Sequence, residues 1–260
     1  MTQKRHSLRQ ILTKIKKFRA ENATTLAVFD LDSTLFDVGP RVERIFAELI
    51  QEPHFNENFP HEIKKLANFK THSSDWGVET MLLRVGVPRD KIEFYRAVHD
   101  YWHRRFFSND YLKYDHPYAG AVEYVQKISA LQSDIVYLTG RDVERMGLGT
   151  RQTLLHWGFP LDDQQSRLEL KPHKTMDDAS FKTEWFKVHH QNYNHVLFFE
   201  NEPSNIHPIT DARLPVEIIF FASTHSGRMH PPSEVLHISD FIHAEEETTS
   251  LTPAASRKTH

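Results

Sequence analysis

The chain has 260 residues, 39% of them hydrophobic and 26% charged, with a formal charge of −3, nine glycines, 13 prolines and no cysteine. That is enough chain for a sizeable core, and it excludes a fibrous or low-complexity protein, a disulfide scaffold, a thiolate metal site and a cysteine nucleophile. The near-balanced charge gives bulk electrostatics no hold on nucleic acid, so none is expected as a partner. No run approaches the roughly 18 apolar residues of a membrane span.

Basic residues open the chain without the unbroken apolar stretch of a signal peptide, so the cytoplasm is the expected compartment. Within residues 1–23, Leu8, Ile11, Leu12, Ile15 and Phe18 recur at helical spacing with Lys and Arg between them, an amphipathic helix expected to dock on the domain. The run TTLAVF at 24–29 is apolar at its centre and suits a buried strand of a parallel sheet. From Val38 to Pro117 the character changes: segments 41–51, 61–71, 77–85 and 89–107 all carry helical periodicity. After Pro117 the pattern alternates, with helix 119–131, strand 134–139, helix 142–157, strand 167–170, helix 178–192 and strands 195–200 and 216–222. Strands separated by helices at this spacing imply right-handed crossovers, hence an α/β fold with a parallel sheet and helices on both faces. The sheet is assigned to 24–37 and 118–243, with a mostly helical insertion over 38–117 and a polar tail over 244–260.

The sharpest pattern is VFDLDSTLFD at 28–37. Asp30 and Asp32 end a buried strand, and ligands bind at the carboxyl ends of strands in an open parallel sheet. Strand side chains alternate faces, so both carboxylates meet one ligand only if the chain leaves strand geometry there. Ser33 and Thr34 begin the turn that lets it. DIVYLTGRD at 134–142 ends a second β-type run in Thr139 and Gly140, a hydroxyl and free N–H groups suited to an oxyanion. Lys171 follows the next strand, Lys174 lies in the loop, and Lys182 begins a helix after Asp178, a candidate N-cap. VLFFENEPSN at 196–205 ends an apolar strand in Glu200, Asn201 and Glu202, with Asn205 one turn on; such oxygens suit a hard cation such as Mg²⁺. The 18 histidines include no H-E-x-x-H, and no P-loop, G-x-G-x-x-G or G-x-S-x-G occurs, which excludes the familiar nucleotide cradles and the serine hydrolase elbow.

In this order the four patterns resemble the haloacid dehalogenase (HAD) superfamily, whose phosphatases show a hydrophobic strand with D-x-D-x-T, a strand ending in Ser or Thr, a Lys, and an acidic strand end. The resemblance runs from Thr24 to about Phe221, and the 38–117 stretch is similar to that superfamily's inserted helical cap. It implies a Rossmannoid parallel sheet and a Mg²⁺-dependent phosphomonoester hydrolase. Asp30 would be the nucleophile that forms an aspartyl-phosphate, and Asp32 the general acid and then the base on the attacking water. Thr139 would hydrogen-bond the transferring group, as would Ser33, Thr34 and Gly140. Lys182 would neutralise nucleophile and phosphate, with Lys171 in reserve. The metal would meet the Asp30 carboxylate, the Asp32 carbonyl and the fourth pattern at Glu200, Asn201 or Glu202, where the superfamily usually has Asp. Two negative groups ~4 Å apart repel by roughly 4 kcal/mol at an effective dielectric of ~20, so a cation and a lysine must be in place before attack. The alternatives on the same fold are a phosphomutase or phosphotransferase, disfavoured because Ser33-Thr34 stands where the mutases usually have Gly-Val, and a phospholigand-binding protein without turnover.

Residues 38–117 are rich in rings, including Trp76, Phe94, Tyr95, Tyr101, Trp102, Phe106 and Phe107. Most are expected in helix core, while Arg104 and Arg105, one turn from several rings, are placed to meet a charged or aromatic leaving group. By analogy with the resembling superfamily, the size of the cap implies a small phosphorylated metabolite.

Overall fold

The computed structural model describes residues 8–242, so residues 1–7 and the 244–260 tail lie outside the described part. Helix α1 (Leu8–Ala20) precedes strand β1 (Thr25–Phe29). A small antiparallel pair, β2 (Phe36–Asp37) and β3 (His116–Pro117), closes the base of the insertion. Between them lie α2 (Gly39–Gln51), α3 (Pro53–Asn58), α4 (Pro60–Ile63), α5 (Gly77–Arg84) and α6 (Ile92–Phe106). The chain continues through α7 (Ala121–Ala130), β4 (Asp134–Asp142), α8 (Val143–Trp157), β5 (Ser166–Lys171) and α9 (Asp178–His189). It ends with β6 (His195–Glu200), α10 (Pro203–Asp211), β7 (Val216–Phe221) and β8 (Leu236–Ile238).

Six strands form one sheet in the order β5-β4-β1-β6-β7-β8, and every neighbouring pair is parallel. β1 is therefore internal, and all five of its residues are buried. Alternation divides them: Ala27 and Phe29 join Ile11 and Ile15 of α1 and Tyr124 of α7 on one face. Leu26 and Val28 meet Phe186 of α9 and Ile206 of α10 on the other. Apolar residues on both faces of the strand are what helices on both faces of a parallel sheet require. The protein is thus an α/β fold with a helical segment inserted between β1 and β4. That segment has its own cluster, built on Val42, Phe46, Leu49, Leu82, Phe94 and Val98. No helix among the described residues is long and apolar enough to cross a membrane.

The elements depart from the sequence expectation in several places, among them α3, β2 and β3, which no expected element covers. The helix expected over 61–71 stops early: α4 ends at Ile63, a 3-10 turn spans Lys64–Leu66, and Asn68 sits at φ +62°. Phe69 still packs in the insertion's cluster, so apolar periodicity persisted where helical backbone did not. The N-cap of α9 is Asp177, whose side chain accepts from the Ser180 N–H at 2.8 Å, and not Asp178. The strand expected over 134–139 runs on to Asp142, with an irregularity between Thr139 and Asp142. Finally, α10 and β8 were not anticipated; α10 carries Pro208 inside a nine-residue helix, and β8 has three residues, both too short for a periodic signal.

Candidate active site

The loop after β1 is wound tightly on Leu31, whose carbonyl accepts the N–H groups of Thr34, Leu35 and Phe36 at 3.2, 3.1 and 2.9 Å. Ser33 takes φ +60°, the left-handed conformation that turns the chain out of the strand. Asp30 keeps its place in the sheet, its N–H bonded to the Phe199 carbonyl at 3.0 Å. As a result Asp30 and Asp32 line one cavity, of about 1310 Å³, together with Ser33, Thr139, Gly140, Lys182, Glu200, Asn201 and Glu202.

Lys182, on the first turns of α9, donates to Asp30 Oδ1 and to Glu200 Oε2, both at 2.6 Å. The Thr34 hydroxyl lies 3.1 Å from Asp30 Oδ2 and 3.0 Å from Asn201 Oδ1. Thr34 is fully buried, and it braces Asp30 from below without lining the cavity. Burial, reinforced by Glu200 and only partly offset by Lys182, pushes the Asp30 carboxyl up to about 7. Burial opposes the charge of Lys182, yet Asp30 and Glu200 outweigh it and raise the ammonium's pKa. Lys171 is elsewhere: it donates to the Met176 carbonyl at 2.9 Å and to Asp178 Oδ1 at 2.5 Å. Lys182 is the lysine that reaches Asp30.

Asp32 sits in a second charged cluster. Its Oδ1 accepts from Arg41 at 2.6 Å and Arg141 at 2.5 Å, and both guanidiniums also grip Asp115. Burial would raise the Asp32 carboxyl, but the two arginines outweigh it and hold it well below the usual carboxylate range. Its Oδ2 accepts no hydrogen bond among the described residues. Thr139 is buried at the end of β4's regular ladder, its Oγ1 3.3 Å from the Arg141 N–H, with Gly140 beside it on the cavity wall. A Cβ on Gly140 would lie 2.2 Å from Asp178 Oδ2, so a larger residue there would have to displace that carboxylate.

The fourth pattern divides by what its oxygens already hold. Glu200 Oε1 accepts the N–H groups of Asn201 and Glu202 at 2.8 and 2.9 Å, and Oε2 accepts from Lys182 and the Asn205 amide. Glu202 caps α10 and takes donors from Ser204 and Ser226. Asn201 donates through Nδ2 to the Thr224 carbonyl at 2.7 Å, which turns Oδ1 toward Thr34 and Asp30. Among the described residues no group of three or more His, Asp or Glu side chains is arranged to hold a metal ion. The oxygens that converge without a saturating set of donors are those of Asp30 and Asn201, next to the Asp32 main chain. Two carboxylates, Asp30 and Glu200, share the single ammonium of Lys182, which leaves one negative charge unbalanced. An oxygen donor set carrying one surplus charge fits a hard divalent cation through few protein ligands.

Arg41, Asp115 and Arg141 escaped the sequence reading. Arg41 and Asp115 lie inside a stretch of helical periodicity where charges read as solvated face, and Arg141 follows Thr139-Gly140 as one more basic loop residue. Arg104 and Arg105 were assigned to a leaving group, but neither lines the cavity. Arg105 stacks on Tyr101 and faces Glu48 and Glu52 on the far side of α6.

No protein-family model and no curated protein matches the chain. Solved structures do. A haloacid dehalogenase-like hydrolase from Streptococcus pneumoniae is similar over 79% of this chain and 89% of its own, at 10% identity and a TM-score of 0.47. A protein tyrosine kinase A from Mycobacterium tuberculosis is similar over 83% and 93%, at 15% identity and 0.49. A predicted phosphatase from Clostridium acetobutylicum is similar over 79% and 88%, at 12% identity and 0.44.

Proposed function

We propose that the protein is a phosphomonoester hydrolase that works through an aspartyl-phosphate. One observation carries the reading: the Asp30 carboxylate, at the carboxyl end of the central strand, is fixed by Lys182 and Thr34 on the wall of a cavity that Thr139 and Gly140 also line. In the first step an Asp30 oxygen attacks phosphorus, the new P–O bond forms, the bond to the leaving oxygen breaks, and the departing oxyanion takes its proton from water. Lys182 compensates the charge that two anions bring together, and Thr139 with the Gly140 N–H receives the phosphoryl oxygens. In the second step water attacks the aspartyl-phosphate, the bond to Asp30 breaks, and inorganic phosphate leaves. Asp32 stays ionised beside its two arginines, so its free Oδ2 is suited to take the proton of that water. A divalent cation such as Mg²⁺ would be held by the Asp30 carboxylate, the Asp32 carbonyl and Asn201 Oδ1, and it would supply the positive charge the site lacks. Glu200 serves by holding Lys182 against Asp30. The helical insertion acts as a cap over the phosphoryl site, and the substrate is a small phosphorylated molecule.

A second reading, binding of a phosphorylated ligand without turnover, is favoured by one feature: the arginine pair keeps Asp32 from carrying the proton that a poor leaving group needs. Release of inorganic phosphate from a panel of monoesters, with Mg²⁺ and with EDTA, separates the two. Hydrolysis is expected with Mg²⁺ and lost with EDTA, and Asp30→Asn is expected to abolish it together with acid-stable labelling of the protein by the phosphoryl group. Undiminished turnover in Asp30→Asn would end the covalent mechanism, and phosphate affinity without release from any ester would establish the binding reading.

A further inference from the structure

The cavity is much larger than a phosphoryl group requires, since pockets of roughly 300–1,000 Å³ enclose whole small-molecule ligands. The wall that faces the leaving group is made of rings. On α6, Phe94, Val98 and Tyr101 are buried in the insertion's own cluster, while Trp102 and Phe106 pack against that cluster and, with His99 and His103, line the cavity. The cavity-lining set follows i, i+3, i+4, i+7, so it forms a continuous stripe down one side of the helix. Its planes are aligned in pairs, Trp102 on Phe106 at 4.6 Å and 27°, His99 near His103 at 5.8 Å and 28°. Trp76 also lines the cavity, and the Arg228 guanidinium lies over its ring at 5.0 Å.

Thr71, His72, Ser73 and Thr80 of the insertion also line the cavity. The acids there are already matched, Asp75 by Arg84 at 2.7 Å and Glu79 by Arg89 at 3.0 Å. Partial desolvation, with Arg145 nearby, holds His103 below the ordinary histidine value. A ring-faced stretch of wall with a stacked guanidinium at Trp76 suits a flat, π-bearing group.

We infer that the cavity takes a phosphomonoester whose leaving group is a planar aromatic ring system, stacked on the Trp102 stripe of α6 while its phosphate meets Asp30 and Lys182. The inference rests on the phosphomonoesterase reading and deepens it. A nucleoside monophosphate and a simple aryl phosphate share this chemistry.

Hydrolysis-proof probes test it on the full-length wild-type protein. Phenylphosphonate is expected to bind about tenfold or more tighter than propylphosphonate, the scale of one ring-stacking contact, with quenching of tryptophan fluorescence as the signal. The phosphonate isosteres of adenosine 5′-monophosphate and ribose 5-phosphate, with CH2 in place of the ester oxygen, are the nucleoside arm: a larger preference there than in the phosphonate pair assigns a nucleotide, a smaller one an aryl ester. In the double variant His99→Ala/His103→Ala, whose side chains are surface-exposed, the ring preference should shrink severalfold while inorganic phosphate binds as in the wild type. Equal affinity for ring and ring-free phosphonates, or a preference unchanged in the double variant, overturns the inference. The hydrolase reading fails separately: ring-selective binding without phosphate release from any ester removes that reading alone, and equal kcat/KM for ring and ring-free esters removes the inference alone.

Discussion

At the scale of single residues, the site is held by charge balance in places where water is excluded. Arg41 and Asp115 are fully buried and Arg141 nearly so, and the cluster of two arginines and two aspartates is neutral only as a whole. Arg41 donates to Asp115 at 2.7 Å, to Asp32 at 2.6 Å and to the Phe106 carbonyl at 3.0 Å, and it stacks on the Phe106 ring at 4.1 Å. Removing one guanidinium leaves two carboxylates on the other, and breaking such a buried set costs about 3–5 kcal/mol. Urea unfolding of Arg41→Met should show a loss of that order, and most of it should return in Arg41→Met/Asp115→Leu, where the orphaned charge is gone too. A single-variant loss below about 1 kcal/mol, the worth of an exposed pair, would mean that the cluster is hydrated in solution.

The same cluster marks where sequence reasoning runs out. Asp30, Asp32, Thr139 and Glu200 were legible because each ends an apolar run too short for a helix, and strand ends are where a parallel sheet binds. Lys182 was one of two lysines in the right order; only the position of α9 against β6, set by Phe186 on Phe198 at 4.8 Å, selects it. Arg41, Asp115 and Arg141 come from three distant segments and form a site only through tertiary packing. No local period distinguishes a buried arginine with two partners from a solvated one.

Two elements show how packing overrides local preference. α1 buries Leu8, Ile11 and Ile15 in the core of the sheet's first face, and it is fastened at the edge by Lys14 to Glu217 on β7 and by Phe18 stacked on His195 at 4.8 Å. Glu217 also lies 3.0 Å from His195 Nε2, and hydrogen bonds from His195 and Lys14, against a smaller desolvation cost, draw its carboxyl down to about 2. A carboxyl depressed in the folded state contributes stability that is present above its unfolded value, near 4.5, and is lost as pH falls through about 2. Between pH 5 and 2, therefore, the Tm of the wild type should fall more steeply than that of Glu217→Gln, followed by circular dichroism; parallel curves would show that Glu217 is not held by this pair. On α8 the contest is steric. Alanine is intrinsically the better helix former than glycine by about 1 kcal/mol. At Gly149, however, a Cβ would lie 2.5 Å from the Asn109 carbonyl oxygen and 2.8 Å from its Cα, and backbone cannot step aside cheaply. Overpacking of that kind costs about 1–3 kcal/mol, so Gly149→Ala should destabilise, whereas Gly147→Ala, which meets only the Leu170 Cδ1 at 3.3 Å, should be neutral or mildly stabilising in the same thermal assay.

Across the whole molecule, apolar burial falls into separate clusters. Two lie on the opposite faces of the sheet and share β1, β4 and β6, so they cannot open independently. The third, around Phe46 and Phe69 stacked at 4.2 Å, belongs to the inserted helices and contains no residue of the sheet. The contacts that join insertion to sheet include the β2–β3 pair, the Arg41 cluster, the close approach of Gly149 to Asn109, and the guanidiniums of Arg145 and Arg228 over Phe107 and Trp76. Cooperativity follows shared burial, so the insertion should open as its own unit, the property a cap needs if it is to admit and release ligand. Phe46→Ala removes a fully buried ring and should cost about 3–5 kcal/mol locally. Native-state hydrogen exchange reads where that cost falls. Amides of α2, α5 and α6 should exchange faster by orders of magnitude, while those of β1 and β6 keep their wild-type protection. Equal acceleration in the sheet would show that insertion and sheet unfold together, and any ligand would then have to enter the cavity by loop motion alone.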